Sequence, residues 1–352
     1  MDLVELLREM VERGGSDLIL ASGKPPLLRA GEVLVRLREE RLSPEEAGRL
    51  VRALMTEEQQ ARLEAQRELD FALTVPGLGR FRFNAFYQRR TPAMVVRRVP
   101  SAPPDLEAIG LPKNVVGLLA RPTGLLLVSG PTGSGKSTVL AAMVDWINRN
   151  YPLHIITIED PIEYLHEDKV AAVSQREVGV DTRDFASALR AALRQSPDVI
   201  MIGEVRDAES AAVLLRAAQT GHLVLASVHG GSAQETVERL LEIFPEERRD
   251  GARSNLADVL LGVLNLRLVK RNGRPPLLAH EFLFATPAVR SLVREGKVHQ
   301  VRHHMMSSEE MWVLEKNLAE MVRKGLLTAK EAEEVANHKG DFLWYLTGLK
   351  QG

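Results

Sequence analysis

Gly130, Gly133, Gly135, Lys136 and Ser137 fall within GPTGSGKST, residues 130–138, and their types and spacing suit one task. Glycines leave backbone N–H groups bare, so such a turn wraps a polyphosphate against the N-terminus of the helix that follows. In the pattern G-x-x-x-x-G-K-[ST], Lys136 reaches the β- and γ-phosphates and the Ser137 hydroxyl ligates Mg²⁺. Pro131, Thr132, Ser134 and Thr138 complete the lining. The preceding LLLVS, residues 125–129, has the length of a buried strand, so the loop joins strand to helix as the motif requires. ATP with Mg²⁺ is the expected ligand.

Phosphoryl transfer needs acids beside such a loop, to hold the metal and to align the attacking water. Two apolar runs end in acids. LHIITIE, 153–159, leads into Glu159-Asp160-Pro161-Ile162-Glu163, and DVIMIG, 198–203, leads into Glu204-Val205-Arg206-Asp207. Many NTPase strands place Asp directly after the apolar residues; Gly203 holds that place here, so Glu204 is the nearest acid. An isolated acidic turn is ordinarily a solvated loop or a helix cap, whereas two of them behind apolar strands and downstream of a phosphate loop read as catalytic. His222 and His229 bracket HLVLASVH. On spacing alone each is either a structural residue or a nucleotide contact. Zinc at these or at His303-His304 lacks the accompanying ligand spacing. Arg80, Arg82, Arg89, Arg90, Arg97 and Arg98 crowd residues 80–98. They suit a solvated strand pair, a nucleic-acid patch, or fingers that reach a triphosphate held by a neighbouring copy. Pleat alternation points Arg82 away from Phe81 and Phe83.

These groups need a scaffold, and 352 residues suffice for two cores. Hydrophobic residues at 45% and charged residues at 26% are ordinary for a globular protein, and no uncharged run approaches a membrane span. MDLVELLREM carries acids among its leucines, unlike a signal peptide, so a cytoplasmic location is expected. Zero Cys excludes disulfides and thiolate chemistry, and a net charge of −1 with 5% aromatics argues against a nucleic-acid partner.

Residues 2–13 form an amphipathic helix, and SDLIL, PPLLRA and EVLVRL are strand candidates. Ser43-Pro44-Glu45-Glu46 opens a helix with a capping box. GRFRFNAFY and PAMVVRRVP flank the 85–92 turn. Together these predict an α+β domain over residues 1–100. Prolines 100, 103, 104 and 112 mark a linker, 101–113, too proline-rich for regular structure. Beyond it, over 114–352, apolar strands at 125–129, 153–159, 198–203, 222–229, 263–270 and 277–284 alternate with helical patterns, which predicts a parallel or mixed α/β sheet covered on both faces. Helices are expected after Thr286, from Ser307-Ser308-Glu309-Glu310 and after Thr328.

In this order the motifs resemble the secretion and pilus-assembly ATPases, and within them the retraction branch. GPTGSGKST looks like their phosphate loop, TIEDPIEYLH (157–166) their acidic box, IGEVRDAES (202–210) their modified second Walker motif and GHLVLASVH (221–229) their histidine box. AVRSLVREGKVHQ (288–300) is similar to the retraction signature. The resemblance implies a PAS-like α+β N-terminal domain, a RecA-like P-loop C-terminal domain, and a homohexamer acting on an inner-membrane pilus platform protein, with peripheral association at the membrane. It assigns catalysis to Glu163, Glu204, His229, Arg82 and Arg97, nucleotide contact to residues 130–138 and His222, and Mg²⁺, directly or through water, to Ser137 and Glu204. Assembly-branch relatives usually carry a tetracysteine zinc module, which a chain without Cys cannot form. The chain departs from the pattern at Ile19 and at ASVHGG, 226–231.

Overall fold

The computed structural model describes residues 1–31, 33–100 and 102–348. Glu32, the first residue of the third strand candidate, Ser101, the first of the expected linker, and the last four residues lie outside the described set. The chain divides into two units, 1–102 and 103–352.

The smaller unit runs α1 (Leu3–Glu12), β1 (Asp17–Ala21), β2 (Leu27–Ala30), β3 (Val33–Arg36), α2 (Pro44–Arg52), α3 (Glu57–Gln66), β4 (Glu68–Val75), β5 (Gly79–Gln88) and β6 (Thr91–Arg98). Its six strands form one antiparallel sheet, ordered β3-β2-β1-β6-β5-β4. One face of the sheet carries Leu18, Leu20, Phe81, Phe83, Ala85, Met94 and Val96 into a core with Leu6, Leu7 and Met10 of α1 and Leu50 of α2. The helices start where the sequence stops them from starting earlier: Asp2 caps α1, and reciprocal Ser43–Glu46 bonds cap α2, with Pro44 in its first turn. The β5–β6 turn is only Arg89-Arg90, both at positive φ, so the strands extend well into the expected turn. α3 and β4 have no counterpart in the sequence reading.

The larger unit runs α4 (Leu106–Ile109), α5 (Lys113–Gly117), β7 (Gly124–Ser129), α6 (Lys136–Asn150), β8 (His154–Glu159), β9 (Ala172–Glu177), α7 (Phe185–Ala192), β10 (Val199–Ile202), α8 (Ala208–Gln219), β11 (Leu223–Val228), α9 (Ala233–Glu242), α10 (Glu246–Val259), β12 (Leu260–Arg271), β13 (Arg274–Phe284), α11 (Pro287–Arg294), α12 (Val301–Met306), α13 (Leu314–Arg323), α14 (Ala329–Val335) and α15 (Lys339–Thr347). The sheet order is β13-β12-β7-β11-β10-β8-β9, with β13 the antiparallel edge and every other pair parallel. All six residues of β7 are buried. Leu125 and Leu127 pack into the layer of α7 to α11, and Leu126 and Val128 into the layer of α4 to α6. Each such side chain contributes about 1.5–3 kcal/mol by leaving water, which is why the run has no polar alternation. This is the RecA-like α/β architecture, with the phosphate-loop strand β7 in its interior, between β12 and β11.

Two expectations need correction. The proline-rich stretch holds the one-turn helix α4, because Pro103-Pro104 end before Asp105, which caps the turn, and Gly110 closes it in a left-handed conformation. Ser307–Glu310 opens no helix: Ser308 Oγ accepts the Glu310 N–H in a local turn, the Phe282–Trp312 bridge keeps the chain extended, and α13 begins only at Leu314.

Candidate nucleotide site

β7 ends at Ser129 and the chain turns sharply at Gly130, where φ is 139°. A Cβ there would lie 2.4 Å from Ser134 Oγ and 2.5 Å from the Leu266 carbonyl oxygen, so the turn accepts only glycine. Gly135, at φ 95°, starts the 15-residue α6 without a side-chain acceptor. The first-turn N–H groups of α6 are therefore open to an anion, with the helix dipole favouring negative charge. Ser134 Oγ is buried without a hydrogen-bond partner among the described residues. Glycine cradle, uncapped helix and orphaned hydroxyl together fit a polyphosphate. Lys136 Nζ folds back onto the carbonyls of Gly130 (2.9 Å) and Pro131 (3.1 Å). Burial holds its pKa below the ordinary lysine value, and the nearby Glu204 charge opposes that. Ser137 is exposed at the helix start, whereas Thr138 Oγ1 shares a hydrogen bond of 3.1 Å with the Tyr164 hydroxyl.

Parallel pairing then fixes which residues meet the loop. Val228 stands opposite Ser129, and Ala226 opposite Ile202, so the residues after β7, β10 and β11 emerge at one edge of the sheet. Glu204 and His229 come together there, with Oε1 2.5 Å from His229 Nε2. The other oxygen of Glu204 takes a forked contact from Arg206, Nε at 2.7 Å and Nη2 at 2.5 Å. This hydrogen bond, with the Glu204 charge, raises the Arg206 pKa. An open cavity lies beside the group, lined in part by Arg239 and Glu242 of α9. Glu163 follows β8 in a loop at the same edge. Its N–H approaches Glu159 Oε2 at 3.5 Å. Glu159 itself is buried and takes hydrogen bonds from Thr157 Oγ1 (2.7 Å) and Gln175 Nε2 (3.0 Å); burial raises its pKa.

The structure thus gathers residues 130–138, Glu163, Glu204 and His229. It does not bring His222 to them. His222 precedes the six-residue β11 and its carbonyl accepts the Gly124 N–H, which places it at the far end of the sheet, about 20 Å along the strand. There its Nδ1 lies 2.9 Å from the Ala217 carbonyl, the structural alternative that spacing left open. Arg82 and Arg97 belong to the smaller unit, as register partners on the sheet face opposite its core. Arg97 Nε donates to Asp17 Oδ1 at 2.7 Å while most of its side chain stays exposed.

Several members of this arrangement were not singled out from sequence. Arg206 stands inside IGEVRDAES, where its spacing suggests no role of its own. Ser129 Oγ accepts from Thr236 Oγ1 (2.7 Å) and from Asn265 Nδ2 (2.9 Å), and the same Asn265 amide donates to the Gly230 carbonyl (2.8 Å). This buried network ties the root of the phosphate loop to the residue after His229. Its signal in sequence is a polar residue in each of two apolar runs, Ser129 in β7 and Asn265 in β12, whereas Thr236 is one polar residue among several in α9.

Among the described residues no helix is long and apolar enough to cross a membrane, and no group of three or more His, Asp or Glu could hold a metal by protein ligands alone. Magnesium at such a site relies on the nucleotide for much of its coordination, so that finding is compatible with the motif.

Residues 31–274 match the family model described as type II/IV secretion system protein. The chain is 42% identical over 344 residues to the type IV pilus retractation ATPase PilT of Pseudomonas aeruginosa, covering 97% of this chain and 100% of that one. It is 39% identical to the type IV pilus ATPase PilU of the same organism, covering 97% and 90%. A crystal structure of the pilus retraction motor PilT with bound ADP superposes with a TM-score of 0.91 at 42% identity, covering 97% and 98%. Matched over most of its length by the family model and by relatives at this level of identity, the chain belongs to the type II/IV secretion system protein family and is an ATP-hydrolysing enzyme.

Proposed function

We propose that this chain is the subunit of a hexameric ATP-driven motor that retracts type IV pili from the cytoplasmic side of the inner membrane, acting on a membrane-embedded platform protein. The observation that carries the reading is the meeting of the uncapped phosphate loop with Glu204 and His229 at one sheet edge, in a chain alike along its length to a retraction ATPase. The bare N–H groups of the loop and of the first turn of α6, with Lys136, hold the phosphates, and Lys136 exchanges its two loop carbonyls for them. Mg²⁺ bound with the nucleotide would neutralise charge at the transferred phosphate, with Ser137 and Glu204 as its nearest protein groups, directly or through water. Glu163 orients the attacking water and accepts its proton. His229 and Arg206 fix the direction of the Glu204 carboxylate. Arg82 and Arg97 of a neighbouring copy offset the developing charge, for which Arg97 has to extend beyond Asp17. Each closing and opening of a subunit around nucleotide would then do work on the platform.

Deletion in the source organism, followed by imaging of surface filaments, tests the function. Excess filaments without surface movement support retraction; a cell without filaments would mean that the chain assembles them instead.

A further inference from the structure

The side chain of Gln175 on β9 reaches the acidic loop at three points. Its Nε2 donates to Glu159 Oε1 (3.0 Å) and to the Tyr164 carbonyl (2.9 Å), and its Oε1 accepts the His166 N–H (2.8 Å). An amide is suited to this because it presents two donors and an acceptor on one rigid plane. Two residues on, and therefore on the same side of β9, Glu177 Oε2 accepts the Ile162 N–H at 3.1 Å. The segment is thus held at 159, 162, 164 and 166, on both sides of Glu163. Tyr164, whose carbonyl Gln175 holds, presents its hydroxyl to Thr138 in the first turn of α6. The pairing of β8 with β9 is supplied by the backbone, from His154 opposite Ala172 to Glu159 opposite Glu177, and does not depend on the amide.

We propose that Gln175 is a positioning residue for hydrolysis: its amide sets where Glu163 stands relative to the phosphate loop. The inference rests on the reading of Glu163 as the acid that handles water. Carboxamide to carboxylate is the sharpest change, because Gln175→Glu keeps the acceptor for His166, removes both donors and sets a second carboxylate against Glu159. Gln175→Met removes all three bonds at similar volume.

The test measures phosphate release, ADP affinity and amide hydrogen exchange for both variants, alone and combined with Glu163→Gln. Positioning predicts that each variant lowers kcat at least tenfold, leaves ADP affinity within twofold, and raises exchange at residues 162–166 at least tenfold while residues 125–129 stay protected. In the Glu163→Gln background single-turnover hydrolysis should fall less than twofold further. An unchanged kcat overturns the proposal, as does an equal loss in both backgrounds. Loss of protection throughout β7 and β8, or of the fold, also overturns it, since the role would then be structural. Should Glu163→Gln alone keep the wild-type rate, the acid assignment fails separately, and unchanged exchange at 162–166 would show that Gln175 does not hold the loop.

Discussion

Glu281 on β13 is fully buried, and burial pushes its carboxyl up to about 7 from 4.5. One oxygen accepts the Ala233 N–H at 3.2 Å, at the start of α9; nearby Glu315 adds to the rise, and Arg302 and Arg267 oppose it. A carboxyl with a raised folded-state pKa binds more protons folded than unfolded between about 4.5 and 7, so stability falls as pH rises through that window. A rise of about 2.5 units at about 1.4 kcal/mol per unit amounts to roughly 3 kcal/mol. Glu281→Gln keeps an acceptor for Ala233 and removes the titration. The stability of the variant minus that of wild type should therefore be flat below pH 4.5, climb to pH 7 and stay level above it. For a unit of this size the full difference is about 6 to 12 °C in melting temperature. Neighbouring His280, also buried and held down to about 4, works the other way, losing stability as pH falls from 6.5 to about 4. Its contribution cancels in the difference between variant and wild type. Thermal melts at pH 4 to 9 read the effect, and parallel curves for the two proteins would refute the reasoning.

The Arg89-Arg90 turn holds two non-glycine residues at φ 47° and 67°, in a two-residue hairpin loop that favours Asn-Gly. Arg89→Asn with Arg90→Gly should stabilise the smaller unit by about 1 kcal/mol, seen as a melting temperature several degrees higher; an unchanged or lower value counts against the strain argument. Gly130→Ala forces a Cβ onto the backbone oxygen of Leu266, so ADP affinity should fall more than tenfold; wild-type affinity would mean the turn has room that the structure does not give it.

The strands of the larger sheet were legible because burial on both faces removes polar alternation and leaves bare apolar runs, as in β7 and β11. The phosphate loop was legible because its glycines answer to a backbone requirement that no other residue meets. β9 was not: AVSQRE is largely polar, Gln175 and Glu177 are turned to the acidic loop, and its strand character comes from backbone pairing with β8. Gln175 and Glu177 were hidden with it. α3 buries only Leu63 and so lacks an apolar stripe, and β4 follows it without a turn signal. The acidic run Ser307–Glu310 has the letters of a capping box, but pairing of Trp312 with Phe282 overrides them. His222 and His229 look equivalent as brackets of one strand, yet the length of a strand is what separates them; only the direction of β11 relative to β7 tells which meets the loop.

The proposed shared site needs the phosphate loop of one copy and the arginines of another for hydrolysis. Mixing an Arg97→Ala chain with a Lys136→Ala chain, each inactive alone, and measuring phosphate release across mixing ratios tests it directly. Partial recovery, greatest at intermediate ratios, is the predicted result, because some interfaces then join an intact Lys136 to an intact Arg97. No recovery at any ratio, with mixed assemblies demonstrably formed, would contradict it.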